Sequence, residues 1–481
     1  MFGLELEGEL TGGAASSSLE HIESPEPITV DPHPGILRGA LHLLYDGIWA
    51  ITAVLGTPWL LWKSARVPGF GRMVLERLGQ GLAGERTRSD RPCVLIHGVS
   101  VGEVKGAMPL VEALQETYPG LEVVISSSTH TGIQVAREGF PGLRVVRFPA
   151  DISPVVRRFL RCVQPDLVIL IELEIWPNFL RECNRRGAPV AVVNGRITDQ
   201  SHSRYLVFRR LLPQFDRLSL ICVQAEEYAR RFLALDVDER RVLITGSVKA
   251  DRLQIGPVDP GEELSRLLGG RADQLVIVAG STHQPEERYV VQAWREGAAD
   301  TRLVVVPRHP ERCADVAREL AGLGERVQLL SELRAGREQP EPGRPCLVDT
   351  IGELERVYGL ADVVFVGGSL VPHGGQNMLE PAAQGKPVLF GPHVANFAQE
   401  AALLLARGAC RQISGPADLD DAFRSLIADS ELREAMAAAG LEAVQEQKGA
   451  TALTLDALSR LCLAALFRGG LAGAREAGIL S

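Results

Sequence analysis

From Cys93 onward the chain alternates between short, unbroken apolar runs and longer stretches with helical spacing. The first half carries "CVLIHG", "LEVVISSS", "LRVVRFP", "DLVILIE", "PVAVVNG", "SLICVQ" and "RVLITG". The second carries "QLVIVAGST", "TRLVVVP", "RVQLL", "PCLVDT", "DVVFVGGSL" and "PVLFG". Runs of Val, Ile and Leu without polar alternation predict strands buried on both faces, as in a parallel sheet covered by helices. Between them the spacing predicts helices, for example over 104–117 and 154–163, and Ala- and Leu-rich helices follow from about 416 to 466. The alternation halts at "DRLQIGPVDPGEEL", where Gly and two prolines mark a linker near 250–272. The expected class is α/β, with two doubly wound halves and a ligand cleft between them.

The start of the chain reads differently. Residues 1–33 are rich in Gly, Ser, Pro and Glu and contain no Lys or Arg, the composition of a disordered acidic tail. Then "GIWAITAVLGTPWLLW", Gly47–Trp62, runs 16 residues without a charge. That length falls between a core helix and a full membrane span. Trp49, Trp59 and Trp62, with Lys63, Arg66, Arg72 and Arg77 close behind, favour a membrane anchor over a core helix docked on the first domain. If the helix spans, the basic flank puts all that follows on the cytoplasmic side. The expected organisation is a tail at 1–33, an anchor helix at 34–64, domains at 65–250 and 251–466, and a tail at 467–481.

Composition narrows the function classes. With 481 residues the chain is too long for one core. Its net charge of −9 argues against a general grip on nucleic acid. The eight cysteines form no CxxC pair and lie mostly in apolar contexts, as buried thiols of a reducing compartment do. His97, His130, His283, His309, His373 and His393 lack metal-binding spacing, so neither a metal nor a cofactor is expected. No Walker loop or dinucleotide fingerprint follows the first strand, and Ser100 has no GxSxG elbow.

In open parallel sheets ligands sit beyond the carboxyl ends of strands. The segments there include "HGVSVGE" (97–103), "ELEIWPN" (172–178), "GSVKAD" (246–251), "GSTHQPEE" (280–287), "PRHPER" (307–312) and "DTIGEL" (349–354). Each alone is explained by turn or cap chemistry; together they favour a ligand cleft. In "PHGGQNMLEPAAQGKP" a Gly-Gly pair is expected to open a helix whose first amides can hold a phosphate. Asn377 and Glu380 share one face of it, a place for ribose hydroxyls or, equally, for a helix cap. Arg308 adds a cation and His309 a hydrogen-bonding ring.

Taken in order with "NGRITDQSHSRY" and "GGSLVPHGGQNMLEPAAQGKPVLFGPHVANF", these motifs resemble the 3-deoxy-D-manno-octulosonic acid (Kdo) transferase family from about residue 40 to 460. The resemblance implies a GT-B fold of two Rossmann-like domains facing a cleft. It implies transfer of Kdo from CMP-Kdo to a lipid A precursor, with inversion, at the cytoplasmic face of the inner membrane. By matching motif, Glu103 is implied as general base, and Glu172 and Lys249 as stabilisers of the transition state. CMP is implied to be held by Arg308, His309, Ile351, Gly352, Glu353, Asn377, Met378, Leu379 and Glu380. Gly98, Gln376 and Met378 depart from the family pattern, which commonly has another small residue, His and Pro there. At this level a GT-B enzyme using a UDP-sugar and a membrane-docked, non-catalytic scaffold remain as rivals.

Overall fold

The computed structural model describes residues 36–67, 69–80, 91–208, 214–271, 274–341 and 343–460. The expected tails at 1–33 and 467–481, and Cys462, lie outside the described residues. The chain divides into two compact units, Met1–Arg252 with Lys448–Ser481 and Leu253–Gln447.

The N-terminal unit is built on seven strands: β1 (Cys93–His97), β2 (Glu122–Ser127), β3 (Arg144–Arg147), β4 (Leu167–Ile171), β5 (Val190–Gly195), β6 (Leu220–Val223) and β7 (Val242–Ile244). They lie in the order β3-β2-β1-β4-β5-β6-β7, and every neighbouring pair is parallel. β1 and β4 are buried along their whole length, which accounts for their unbroken apolar sequences. Alternate residues serve opposite faces. Ile96 and Ile169 pack with Leu110 and Leu114 on one side, and Leu95 and Leu170 with Phe159 and Phe179 on the other. Strand order reverses between β1 and β4, so the loops after those strands diverge and leave a crevice.

The C-terminal unit repeats the plan with β8 (Val276–Thr282), β9 (Arg302–Pro307), β10 (Gln328–Leu329), β11 (Cys346–Leu347), β12 (Val363–Val366), β13 (Val388–Phe390) and β14 (Cys410–Gln412). The order is β10-β11-β9-β8-β12-β13-β14, again parallel throughout, with its reversal between β8 and β12. Trp294 and Phe423 fill one face against Ile277, Leu303 and Phe365.

Three expectations change. The helix expected over 104–117 is two, Val101–Gly106 and Met108–Thr117. Pro109 sits in the first turn of the second, where its missing N–H costs nothing. The linker near 250–272 contains a helix, Gly261–Leu268, whose Leu264, Leu267 and Leu268 enter the core. The last described helix, Ala450–Leu458, belongs to the N-terminal unit, so the second unit ends at Gln447 and not at 466. Its Ala450, Ala457 and Leu458 join the cluster of Leu110 and Leu114. Asp251 caps its start, accepting the amides of Gly449 at 2.7 Å and Thr451 at 2.6 Å.

The apolar run lies in a 31-residue helix, Ile36–Arg66. Its first part is docked: His42 is buried, and Asp46 accepts from the Ser153 hydroxyl at 2.6 Å and the Asn178 amide at 2.7 Å. Beyond Gly47 the helix stands clear, with Ile51 61%, Val54 71% and Leu55 76% exposed. That is no core helix. Leu41–Arg66 is long and apolar enough to cross a membrane. A second helix, Phe70–Arg77, turns back along it, the Phe70 ring meeting Trp59 edge-on at 6.0 Å.

Candidate active site

The polar loops of the N-terminal unit gather at its switch point. Glu103 follows β1, Glu172 and Glu174 follow β4, and Lys249 follows β7. Glu103 closes a capping box: the Ser100 hydroxyl accepts the Glu103 amide at 3.2 Å, while the carboxylate accepts the Ser100 hydroxyl at 2.7 Å. Its other oxygen accepts the Val99 amide at 2.8 Å, and Ser100 N–H donates weakly at 3.3 Å. Three donors occupy a group with about four lone-pair directions, so one remains for a further proton donor. Burial pushes this carboxyl above its usual range, with the charge of Glu172 adding to the rise and the cap hydrogen bonds opposing it. At Gly98 the turn is tight: a Cβ there would stand 3.2 Å from the Glu103 Cβ and the Val104 nitrogen.

Glu172 adopts φ 65°, a left-handed conformation that side-chain-bearing residues rarely take and that costs of order 1–3 kcal/mol. Its carboxylate is held by the Lys249 ammonium at 2.5 Å. The Lys249 stem runs over Gly106, where a Cβ would stand 3.2 Å from the lysine Cγ and Cε. Glycine at that position therefore clears the lysine's route. Glu174 accepts the Trp176 indole N–H at 2.9 Å. Burial raises its carboxyl to about 7; the indole bond opposes the rise, and the charges of Glu103 and Glu172 add to it. Of these carboxyls Glu174, at about 7, is the one that changes protonation near neutral pH. His97 takes no part: it is fully buried, stacked on Phe148 at 3.7 Å and bonded to Ser126.

In the C-terminal unit, loops after β9, β11 and β12 carry the expected donor residues. The Gly-Gly pair does not open the helix. Gly374 and Gly375 have φ 88° and 81° and form the turn before it, and the helix itself is one turn, Leu379–Ala383. Asn377 bridges that start, accepting the Leu379 amide at 3.1 Å and donating to Glu380 at 3.0 Å. Met378 is fully buried and Leu379 nearly so, which leaves their backbone rather than their side chains for a ligand. His309 lies 5.9 Å from His283, which stacks on His373 at 4.4 Å and meets the Gln376 amide at 3.2 Å. Burial, then His373, His309, Arg312 and Arg308, push His283 down to about 4, so the ring is neutral at pH 7. Glu353 is tied to Arg334 at 2.7 Å and Arg356 at 3.5 Å, whereas Ile351 is 89% exposed beside Gly352 at φ 88°. Beneath the loops Glu286 is fully buried, and its carboxylate accepts the amides of His283, Gly368, Ser369 and Leu370 at 2.7–3.0 Å.

Residues 72–252 match the family described as 3-Deoxy-D-manno-octulosonic-acid transferase (kdotransferase). The chain is 33% identical to the 3-deoxy-D-manno-octulosonic acid transferase of Haemophilus influenzae, over 82% of this chain and 92% of that one. To the enzyme of the same name from Bordetella pertussis it is 32% identical, over 88% and 97%. The chain belongs to the Kdo transferase family. It is a glycosyltransferase, and its two parallel-sheet units have the GT-B fold. A glycosyltransferase from Rickettsia africae shares that fold at 11% identity, with a TM-score of 0.51 over 77% of this chain and 98% of the other. So does Anabaena HepE in complex with UDP, at 12% identity and TM-score 0.52, over 77% and 100%.

Within this Kdo transferase the structure adds residues that sequence reasoning missed. Glu174 is the second acid of "ELEIWPN", and its raised carboxyl arises from burial, which spacing does not reveal. Glu286, in "THQPEE", and the His283–His373 stack shape the loops that carry Arg308, His309 and Asn377.

Proposed function

We propose that this enzyme moves Kdo from CMP-Kdo onto a lipid A precursor, with inversion at the anomeric carbon, in lipopolysaccharide biosynthesis. Glu103 takes the proton of the acceptor hydroxyl as that oxygen attacks the anomeric carbon. CMP leaves from the opposite face as a phosphate monoester, a leaving group good enough to need no general acid. Oxocarbenium-like charge builds on the sugar, and the Lys249–Glu172 pair fixes the charges around the reacting groups. Arg308, His309, the Ile351–Gly352–Glu353 turn, and Asn377, Met378, Leu379 and Glu380 hold the CMP, with Glu380 on ribose hydroxyls and Arg308 on phosphate.

The observation that carries this reading is Glu103 beside the Lys249–Glu172 pair, at the strand ends flanking the switch point. A raised carboxyl suits a base, because proton transfer is most efficient when the pKa nears the working pH. The exposed apolar helix Ile36–Arg66 supports a place at the inner membrane beside a lipid acceptor, with the catalytic units in the cytoplasm. Incubation with CMP-Kdo and a lipid A precursor, followed by product mass spectrometry, should show an acceptor heavier by one or more Kdo residues. No product with CMP-Kdo, and turnover with a UDP-sugar instead, would defeat the proposal.

A further inference from the structure

A second polar site lies in the N-terminal unit, away from the loops after β1 and β4. Helix Phe70–Arg77, helix His130–Gly139 and β3, the edge strand, enclose a pocket of about 440 Å³. Arg72, Arg137, Arg144 and Arg147 line it, and Glu76 is the single acid among its described lining residues. The Arg147 side chain is 6% exposed and shares Glu76, at 2.8 Å, with Arg72, at 3.0 Å. Guanidinium groups stay charged at any physiological pH, so one carboxylate leaves a lasting positive excess around this volume. Planar forks of this kind match phosphate oxygens two at a time.

The position of the pocket says where the phosphate comes from. Helix Phe70–Arg77 is the return arm of the exposed apolar helix. Its own Leu75, which lines the pocket, is 45% exposed and adds apolar surface to the rim. Both arms are pinned to the same unit: Asp46 bonds Ser153, and the Arg77 carbonyl accepts the Ala150 amide at 2.8 Å. The pocket is thus held beside the exposed apolar stretch of helix Ile36–Arg66, at headgroup depth when that stretch lies in the membrane interface.

We infer that the arginine-lined pocket between helix Phe70–Arg77 and β3 binds the headgroup phosphate of an anionic membrane lipid. The inference rests on the membrane reading above. Titration of the full chain with a short-chain phosphatidylglycerol, below its micelle concentration, should give saturable binding by calorimetry. Arg137→Ala and Arg144→Gln should each weaken it roughly ten- to hundredfold, the loss expected for a charge-assisted hydrogen bond. Arg144 also touches the Cys162 carbonyl; the exposed Arg137 therefore gives the cleaner variant. Inorganic phosphate should bind at least tenfold more weakly than the lipid. Unchanged lipid binding in both variants, or phosphate binding as tightly as lipid, overturns the assignment. Partition into phosphatidylcholine vesicles is measured beside it. Partition without lipid binding defeats the pocket alone, and lipid binding without partition defeats the anchor alone.

Discussion

Replacing Glu174 by Gln should make the N-terminal unit more stable at alkaline pH and leave it nearly unchanged in acid. Burial holds the folded carboxyl at about 7 against an ordinary 4.5. The folded chain therefore binds more protons here than the unfolded chain between those values, and the native glutamate loses stability as pH rises through that window. The full shift corresponds to on the order of 3 kcal/mol. Part of the group remains in contact with water, and its charge is coupled to Glu103 and Glu172, which brings the expectation to about 1–2 kcal/mol. Gln keeps the size and can still accept the Trp176 N–H at the 2.9 Å contact, but never ionises. For a unit of this size the difference is a melting temperature higher by about 2–4 °C at pH 8, with little gain at pH 4.5. Differential scanning calorimetry of both proteins across pH 4.5–8 reads it directly. Parallel pH profiles would show that Glu174 is ordinary, and that the carboxyl cluster is not the low-dielectric site described above.

Other consequences follow from single contacts. Gly106→Val should push the Lys249 stem aside and separate its ammonium from Glu172, lowering turnover at least tenfold while CMP affinity, measured by calorimetry, stays within twofold. Arg308→Ala should weaken CMP binding roughly ten- to hundredfold in the same assay, through loss of a charge-assisted bond to phosphate; unchanged binding would move the donor site elsewhere. Ile51→Gln, Leu55→Gln and Leu61→Gln together should release the protein from membranes in sedimentation. They should leave the fold intact, since those side chains are more than half exposed. Removing the whole helix is the poorer experiment, because Asp46 and His42 belong to the domain's own packing.

The parallel sheets were legible because strands buried on both faces must be apolar at every position, as in "CVLIH" and "LVILI". The residues after them were legible because a crevice at a switch point needs polar groups that a core does not. Long-range returns were not. Nothing in Ala450–Leu458 distinguishes a helix capped by Asp251 from one packed on the second sheet, since the deciding hydrogen bonds span about 200 positions. Nor could spacing separate Glu103 as cap from Glu103 as base, for the capping box and the switch-point crevice use the same residue at the same place. Pro109 was a visible break in the helix expected over 104–117, and the helical spacing around it hid that signal.

Turnover of Glu103→Gln beside Ser100→Ala, with CMP-Kdo and a lipid A precursor, tests the central claim most directly. Both variants disturb the capping box, and each should lose on the order of 1 kcal/mol of stability. Only the first removes the proton acceptor. The account predicts that Glu103→Gln loses two to four decades of turnover and still binds CMP, while Ser100→Ala stays within a few-fold of the native enzyme. A Gln variant keeping more than about a tenth of native turnover, or two variants losing activity in equal measure, would contradict it and leave Glu103 as a helix cap.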